Sequence, residues 1–163
     1  MLLYLLRHGD ADSAPVLADH ERPLSIRGQK EIESVARFFA ASKTTVSTVL
    51  TSPLVRAQET GAIVEKTLQT GSVLTSESLV PGTDPASLFS ELSARSDPAI
   101  LIVGHEPHLS GLISILVTGS ETSHIEMKKG SLACLAVQKP LQRGAGVLRW
   151  IVPVSLMEID ATP

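Results

Sequence analysis

The sequence predicts an α/β fold of three layers, with a mostly parallel central sheet and helices on both of its faces. Three observations carry that expectation. Short apolar runs alternate with amphipathic helical patterns from end to end, and the links between them are short. No internal repeat, low-complexity tract or linker breaks the alternation. The 163 residues are 43% hydrophobic and 3% aromatic, so the core must be aliphatic. A chain of this length buries roughly 68–70% of its unfolded surface, enough for one core. One domain over residues 1–163 is therefore expected.

Leu2 to Leu6 is a continuous apolar run, as in a strand covered on both faces. From Ser25 to Ala41, the apolar positions Ile32, Val35, Ala36 and Phe39 fall at i, i+3, i+4 and i+7, which predicts a helix with one buried stripe. Thr45 to Thr51 is rich in valine and threonine and reads as the second strand. Ser52-Pro53 then reads as a helix start, with serine as the cap and proline at the first helical position. Leu54, Ala57, Gly61, Val64 and Leu68 continue it at helical spacing. A weaker strand is placed near Val73, and a helix after Asp84-Pro85. Ala99 to Val103 is a strongly apolar strand, followed by a helix from Leu109 to Val117. Leu132 to Val137 and Val147 to Val152 are late strands, expected to pair antiparallel.

Composition excludes several classes. Fourteen basic against seventeen acidic side chains give a net charge of -3, which argues against a general nucleic-acid binder. Cys134 is the only cysteine, so neither an internal disulfide nor a multi-cysteine zinc site can form. The apolar opening is only six residues long and its Arg7 follows the run, the reverse of a signal peptide; no later run approaches a membrane span. A soluble, cytoplasmic, monomeric protein is expected.

Open α/β sheets bind ligands beyond the carboxyl ends of their strands. Arg7-His8-Gly9-Asp10 follows the first strand, Ser52-Pro53-Leu54-Val55-Arg56-Ala57 the second, and Gly104-His105-Glu106-Pro107-His108 the strand ending at Val103. Arg56 falls near a helix start, where the macrodipole favours an anion over a cation. An arginine there could simply extend to water. Beside Arg7, His8 and His105 that reading weakens, because four cation-capable groups without a counter-ion repel one another. A bound phosphate resolves the conflict, since guanidinium forks match its oxygens. Neutral imidazole is in addition a nucleophile to which a phosphoryl group can be passed. Gly9 fits a turn where backbone approaches a ligand closely.

These residues resemble the histidine phosphatase superfamily, with its phosphoglycerate mutase-like fold. Leu5-Leu6-Arg7-His8-Gly9 is similar to its signature, Ser52 to Ala57 with Thr60 to its second motif, and Val103-Gly104-His105 to its third. Arg22-Pro23-Leu24-Ser25 with Gly28 resembles the turn into its first helix. The short length, the Arg-His-Gly-Asp-Ala opening and Gly-His-Glu-Pro-His bring the chain nearest to the SixA-type phosphohistidine phosphatases. The resemblance implies that His8 is the nucleophile, that Arg7, Arg56 and His105 surround the phosphoryl oxygens, and that no metal or cofactor takes part. Arg22 would stand at the pocket margin and Gly9 against the substrate. Many relatives carry a proton-donating acid on an insertion for which this chain has little room; Asp10, Glu77 and Glu106 are candidates by proximity, each equally a solvated surface charge. Few added segments imply an open site, suited to phosphohistidine on a partner protein. The alternatives are a small-molecule phosphomonoesterase of the same superfamily and a non-catalytic phospho-anion-binding module.

Other chemistry is poorly supported. Asp10-Ala-Asp12 would suit an aspartyl-phosphate mechanism with magnesium, but two cationic groups separate it from the strand. His105 and His108 are at i, i+3 with proline between them, whereas helical zinc ligands sit at i, i+4. His108 is equally a pocket wall or a helix-start residue, and Lys128-Lys129 reads as a solvated turn. No G-x-S-x-G elbow and no Walker-type phosphate loop is present.

Overall fold

The computed structural model describes residues 1–13, 16–42, 44–122 and 124–157. Among these residues six strands form one sheet in the order β3-β2-β4-β1-β5-β6. They are β1 (Leu2–Arg7), β2 (Thr48–Thr51), β3 (Val73–Thr75), β4 (Ala99–Gly104), β5 (Leu132–Ala136) and β6 (Val147–Val152). The pairs β3/β2, β2/β4 and β4/β1 are parallel, while β1/β5 and β5/β6 are antiparallel. Only β5 therefore runs against the rest, and the late antiparallel pair expected from the sequence is present. Among the described residues four α-helices cover the sheet: α1 (Ile26–Ala41), α2 (Val55–Leu68), α3 (Leu88–Ala94) and α4 (His108–Thr118).

Strand periodicity sorts the core into two layers. Leu3 and Leu5 of β1 join Leu88 and Leu92 of α3 and Leu109, Leu112 and Leu116 of α4 on one face. Tyr4 and Leu6 join Ile32, Val35, Ala36 and Phe39 of α1 and Ala57 and Val64 of α2 on the other. The expected three layers are present, and the aliphatic stripe of α1 is the one read from spacing. All six residues of β4 are buried, as a strand covered on both faces requires. The lone Cys134 lies in β5 between Tyr4 of β1 and Trp150 of β6, and is buried. Among the described residues no helix is long and apolar enough to cross a membrane.

Two boundaries differ from expectation by more than one residue. The second strand starts at Thr48 rather than Thr45. The helix after it starts at Val55 with Leu54 as its cap residue, so Ser52 is not the cap and Pro53 is not the first helical residue. The cause is the sheet: the Ser52 amide still donates to the Val103 carbonyl at 3.0 Å, holding this stretch extended before the chain turns. Ser52 Oγ instead accepts from the Leu54 amide at 3.3 Å, inside that turn.

Candidate active site

The site grows from the ends of two neighbouring central strands. In the parallel β1/β4 pair, Leu6 lies opposite Val103 and Arg7 opposite Gly104, so His8 and His105 leave the sheet side by side. The His8 amide donates to the Gly104 carbonyl at 3.1 Å, continuing the ladder by one residue. The two imidazole centroids are 4.9 Å apart, close to the spacing of adjacent strands. Thr51 is level with Val103 on the other flank of β4, which delivers the start of α2 to the same edge.

Arg56, the second residue of α2, is buried there. Its Nε donates to His8 Nε2 at 3.2 Å, its Nη1 to the Asp19 carbonyl at 2.6 Å, and its Nη2 to Asp19 Oδ2 at 3.0 Å. Arg7 donates from Nη1 to the Met127 carbonyl at 2.8 Å, while its Nε is buried without a hydrogen-bond partner among the described residues. His8, His105, Arg7 and Arg56 line one cavity of about 340 Å³, with Ala11, Asp19, Arg22, Pro81, Glu106 and Lys129 on its remaining walls. The four groups singled out from sequence thus converge.

The electrostatics differ from a cluster of four cations. His8 is pushed down to about 4, by burial first, with Arg56, Arg7 and Lys129 adding to it and the Gly9 carbonyl opposing. His105 is pushed down to about 3, again by burial first, then by His8 and Arg56, with Asp19 opposing. Both rings are neutral near pH 7, and Asp19 offsets part of the charge of Arg56. The His8 tautomer follows from its partners: a 2.7 Å contact between Nδ1 and the Gly9 carbonyl requires the hydrogen on Nδ1, which leaves the lone pair on Nε2, where it accepts the bond from Arg56 Nε.

The loop carrying His8 is fastened to the start of α1. A Cβ on Gly28 would stand 2.0 Å from the Asp10 carbonyl oxygen, and one on Gly9 would stand 2.8 Å from the Gly28 carbonyl oxygen. The close approach made by Gly9 is therefore to the chain itself, and its amide donates inward to Thr60 Oγ1 at 3.3 Å. Ser25 caps α1 by accepting from the Gly28 amide at 3.0 Å and donates to Asp10 Oδ2 at 2.9 Å. The Arg-Pro-Leu-Ser-x-x-Gly stretch is the other half of this fastening. Arg22 stands at the cavity margin, with Nη1 3.0 Å from Asp19 Oδ1 and Nε donating to the Asp12 carbonyl at 2.7 Å.

The carboxyl groups sort themselves. Asp10 is bound to Lys129 Nζ at 2.6 Å, which holds its carboxyl below the usual range. Glu106 lines the cavity, but its Oε1 accepts from the Ser110 amide at 3.1 Å. Glu77 is exposed, in a short turn that is not part of the cavity wall. His108 is the first residue of α4, buried, and faces a separate cavity with Gly82, Thr83 and Pro85. Among the described residues no group of three His, Cys, Asp or Glu side chains gathers as a metal site.

Sequence reading missed Asp19 and Lys129. Asp19 reaches Arg56 across 37 positions and belongs to no periodic pattern. Lys129 looked like part of a solvated turn, yet the turn is built on β1: the Gly130 amide donates to the Arg7 carbonyl at 3.1 Å, and the Arg7 amide to the Ser131 carbonyl at 3.1 Å. Lys129 also borders a neighbouring groove of about 430 Å³, lined by Arg7, Asp10, Lys128 and Val154 among others.

Comparison with known proteins agrees with this geometry. The family model of the histidine phosphatase superfamily (branch 1) matches residues 3–80. An uncharacterized protein of Mycobacterium tuberculosis is 32% identical over 119 residues, covering 72% of this chain and 73% of its own. The phosphohistidine phosphatase SixA of Escherichia coli (strain K12) is 28% identical over 123 residues, covering 73% and 76%. A solved structure of the protein histidine phosphatase SixA complexed with tungstate superposes with a TM-score of 0.88 at 24% identity, over 97% of this chain and all of that one. Its fold is the phosphoglycerate mutase-like α/β arrangement found here. With both imidazoles, both arginines and the strand ends that carry them in place, the chain belongs to the histidine phosphatase superfamily.

Proposed function

We propose that this phosphatase removes the phosphoryl group from phosphohistidine on a partner protein, through a covalent intermediate on His8. As the bond from Arg56 Nε is given up, the lone pair of His8 Nε2 attacks phosphorus, the bond from phosphorus to the leaving nitrogen breaks, and its electron pair stays on that nitrogen. Arg7, Arg56 and His105 surround the phosphoryl oxygens, where charge must be balanced throughout the transfer. A water molecule then attacks the phosphorus on His8. The P–N electron pair returns to Nε2, and the proton given up by water leaves with phosphate or solvent.

The choice of substrate rests on one observation, the engagement of the carboxyl groups in and beside the cavity: Asp10 by Lys129 at 2.6 Å, Asp19 by Arg56 and Arg22 at 3.0 Å, and Glu106 by the Ser110 amide at 3.1 Å. A phosphomonoester departs as an alkoxide and needs a donated proton. Phosphohistidine protonated on its distal ring nitrogen departs as neutral imidazole and needs none. Asp10 is kept ionised chiefly by its bond to Lys129, and Asp19 chiefly by its bond to Arg56 and then by Arg22. Neither offers a proton near pH 7, and Glu106 is turned to an amide. The groove beside the cavity adds room for a segment of partner chain, and a relative named as a phosphohistidine phosphatase supports the same reading.

The test is phosphate release from a phosphohistidine-bearing protein and from a panel of small phosphomonoesters. Phosphohistidine is expected to turn over at least about tenfold faster, and His8→Ala to lose at least about 10³-fold in turnover. Hydrolysis of the esters alone overturns the substrate, release from neither overturns the enzyme, and normal turnover by His8→Ala overturns the nucleophile.

A further inference from the structure

Each nitrogen of the Arg56 guanidinium makes one hydrogen bond. Nε bonds His8, Nη1 the Asp19 carbonyl oxygen, and Nη2 the Asp19 carboxylate. The other carboxylate oxygen is 3.0 Å from Arg22 Nη1, so one aspartate bridges two guanidinium groups inside the cavity that holds both imidazoles. To an arginine fork, a carboxylate and a phosphoryl group offer the same thing, a pair of anionic oxygens at matching spacing. Asp19 gives Arg56 one carboxylate oxygen, at Nη2; a phosphoryl oxygen that takes this N–H displaces it, and the two charges repel at close range.

The two contacts that Asp19 makes to Arg56 differ in kind. The one through its backbone carbonyl positions the guanidinium and is independent of the side chain. The one through its carboxylate can be given up, because that side chain is 65% exposed and both of its partners are arginines. Rotation about its χ angles carries the carboxylate into solvent and frees Nη2 without moving the backbone.

We propose that Asp19 is a specificity-determining residue whose carboxylate competes with the incoming phosphoryl group for Arg56. It thereby rejects singly charged carboxylates and yields only to a doubly charged tetrahedral oxyanion. The inference rests on the reading of the cavity as the phosphoryl site, and it makes a prediction opposite to that of a purely supporting aspartate. A support strengthens the anion site, so its removal weakens anion binding; a competitor weakens it, so its removal tightens binding.

The experiment is a calorimetric titration of the wild-type chain, Asp19→Asn and Asp19→Ala with inorganic phosphate and, separately, with acetate. Both variants keep the backbone carbonyl on Arg56 Nη1, and a cooperative thermal transition confirms that each is folded. Asp19→Ala is expected to bind phosphate about two- to fivefold more tightly, and the preference for phosphate over acetate is expected to shrink. Product inhibition by phosphate should strengthen in step, with KM falling more than kcat. Asn, which keeps the size but not the charge, should reproduce the effect. Unchanged or weaker phosphate binding in both variants overturns the proposal. Phosphate binding to none of the three chains overturns the phosphoryl-site reading itself, and this proposal with it.

Discussion

The imidazole proposed as nucleophile has to stay unprotonated among cations, and His8 does so by burial more than by its charged neighbours. Its folded value of about 4, and about 3 for His105, lie below the ordinary histidine value of about 6.5. Following the ring Cε1–H resonances by NMR as pH is lowered, both are expected to hold their neutral shifts through pH 5 and to titrate only in the range 3–4. A midpoint near 6.5 for either ring overturns the account of their environment. The pairing of Nδ1 with the Gly9 carbonyl serves the same end, since it fixes which nitrogen holds the lone pair. The identities of these residues were readable because each follows a strand. Their charge state was not, because it depends on how deeply the sheet edge is covered.

At the scale of elements, the site is held by loops locked to helix starts. The contact between the loop after β1 and the first turn of α1 leaves no room for a side chain at residue 28, where a Cβ would meet the Asp10 backbone at 2.0 Å. Gly28→Ala is expected to destabilise the protein by about 1–3 kcal/mol, the usual cost of overpacking a tight contact. It should also weaken phosphate binding, because Asp10, the partner of Lys129, is displaced with the loop. Denaturant unfolding and a phosphate titration check the two effects, and wild-type stability in this variant overturns the packing argument. Helices and strands were legible through periodicity, as in Ile32, Val35, Ala36 and Phe39, all buried where spacing put them. The start of α2 was misread by two residues because Ser52 remains bonded to β4, a long-range pairing that no local cap preference records. Asp19 was illegible for the same reason: a 3-10 turn at Asp19–Glu21 brings it to Arg56 without any repeat in the sequence.

Across the whole molecule, the buried histidines tie stability to pH. Their folded values lie below the unfolded one, so below about 6.5 the unfolded chain takes up more protons than the folded one. Stability should therefore fall as pH drops from about 6.5 through about 4 and about 3, where the two rings finally charge. Thermal unfolding over that window is expected to show the decline, and a His8→Gln/His105→Gln double variant to show a shallower one. An equal slope in both overturns the linkage. Asp10 and Asp19, held down by lysine and arginine, and Asp97, held down by the Thr48 and Ser47 hydroxyls and then by Arg95, add to the decline only at the acid end of the window.

Cys134 gives the molecule a further property. Its thiol sits mid-strand in β5, flanked by Tyr4 on one side and Trp150 on the other, and is 4% exposed. A reagent in solution reaches that sulfur only once β5 has parted from a neighbour or the covering layer has lifted. With a single cysteine in the chain, the rate of alkylation acts as a clock on sheet opening, readable at one site and without any introduced label.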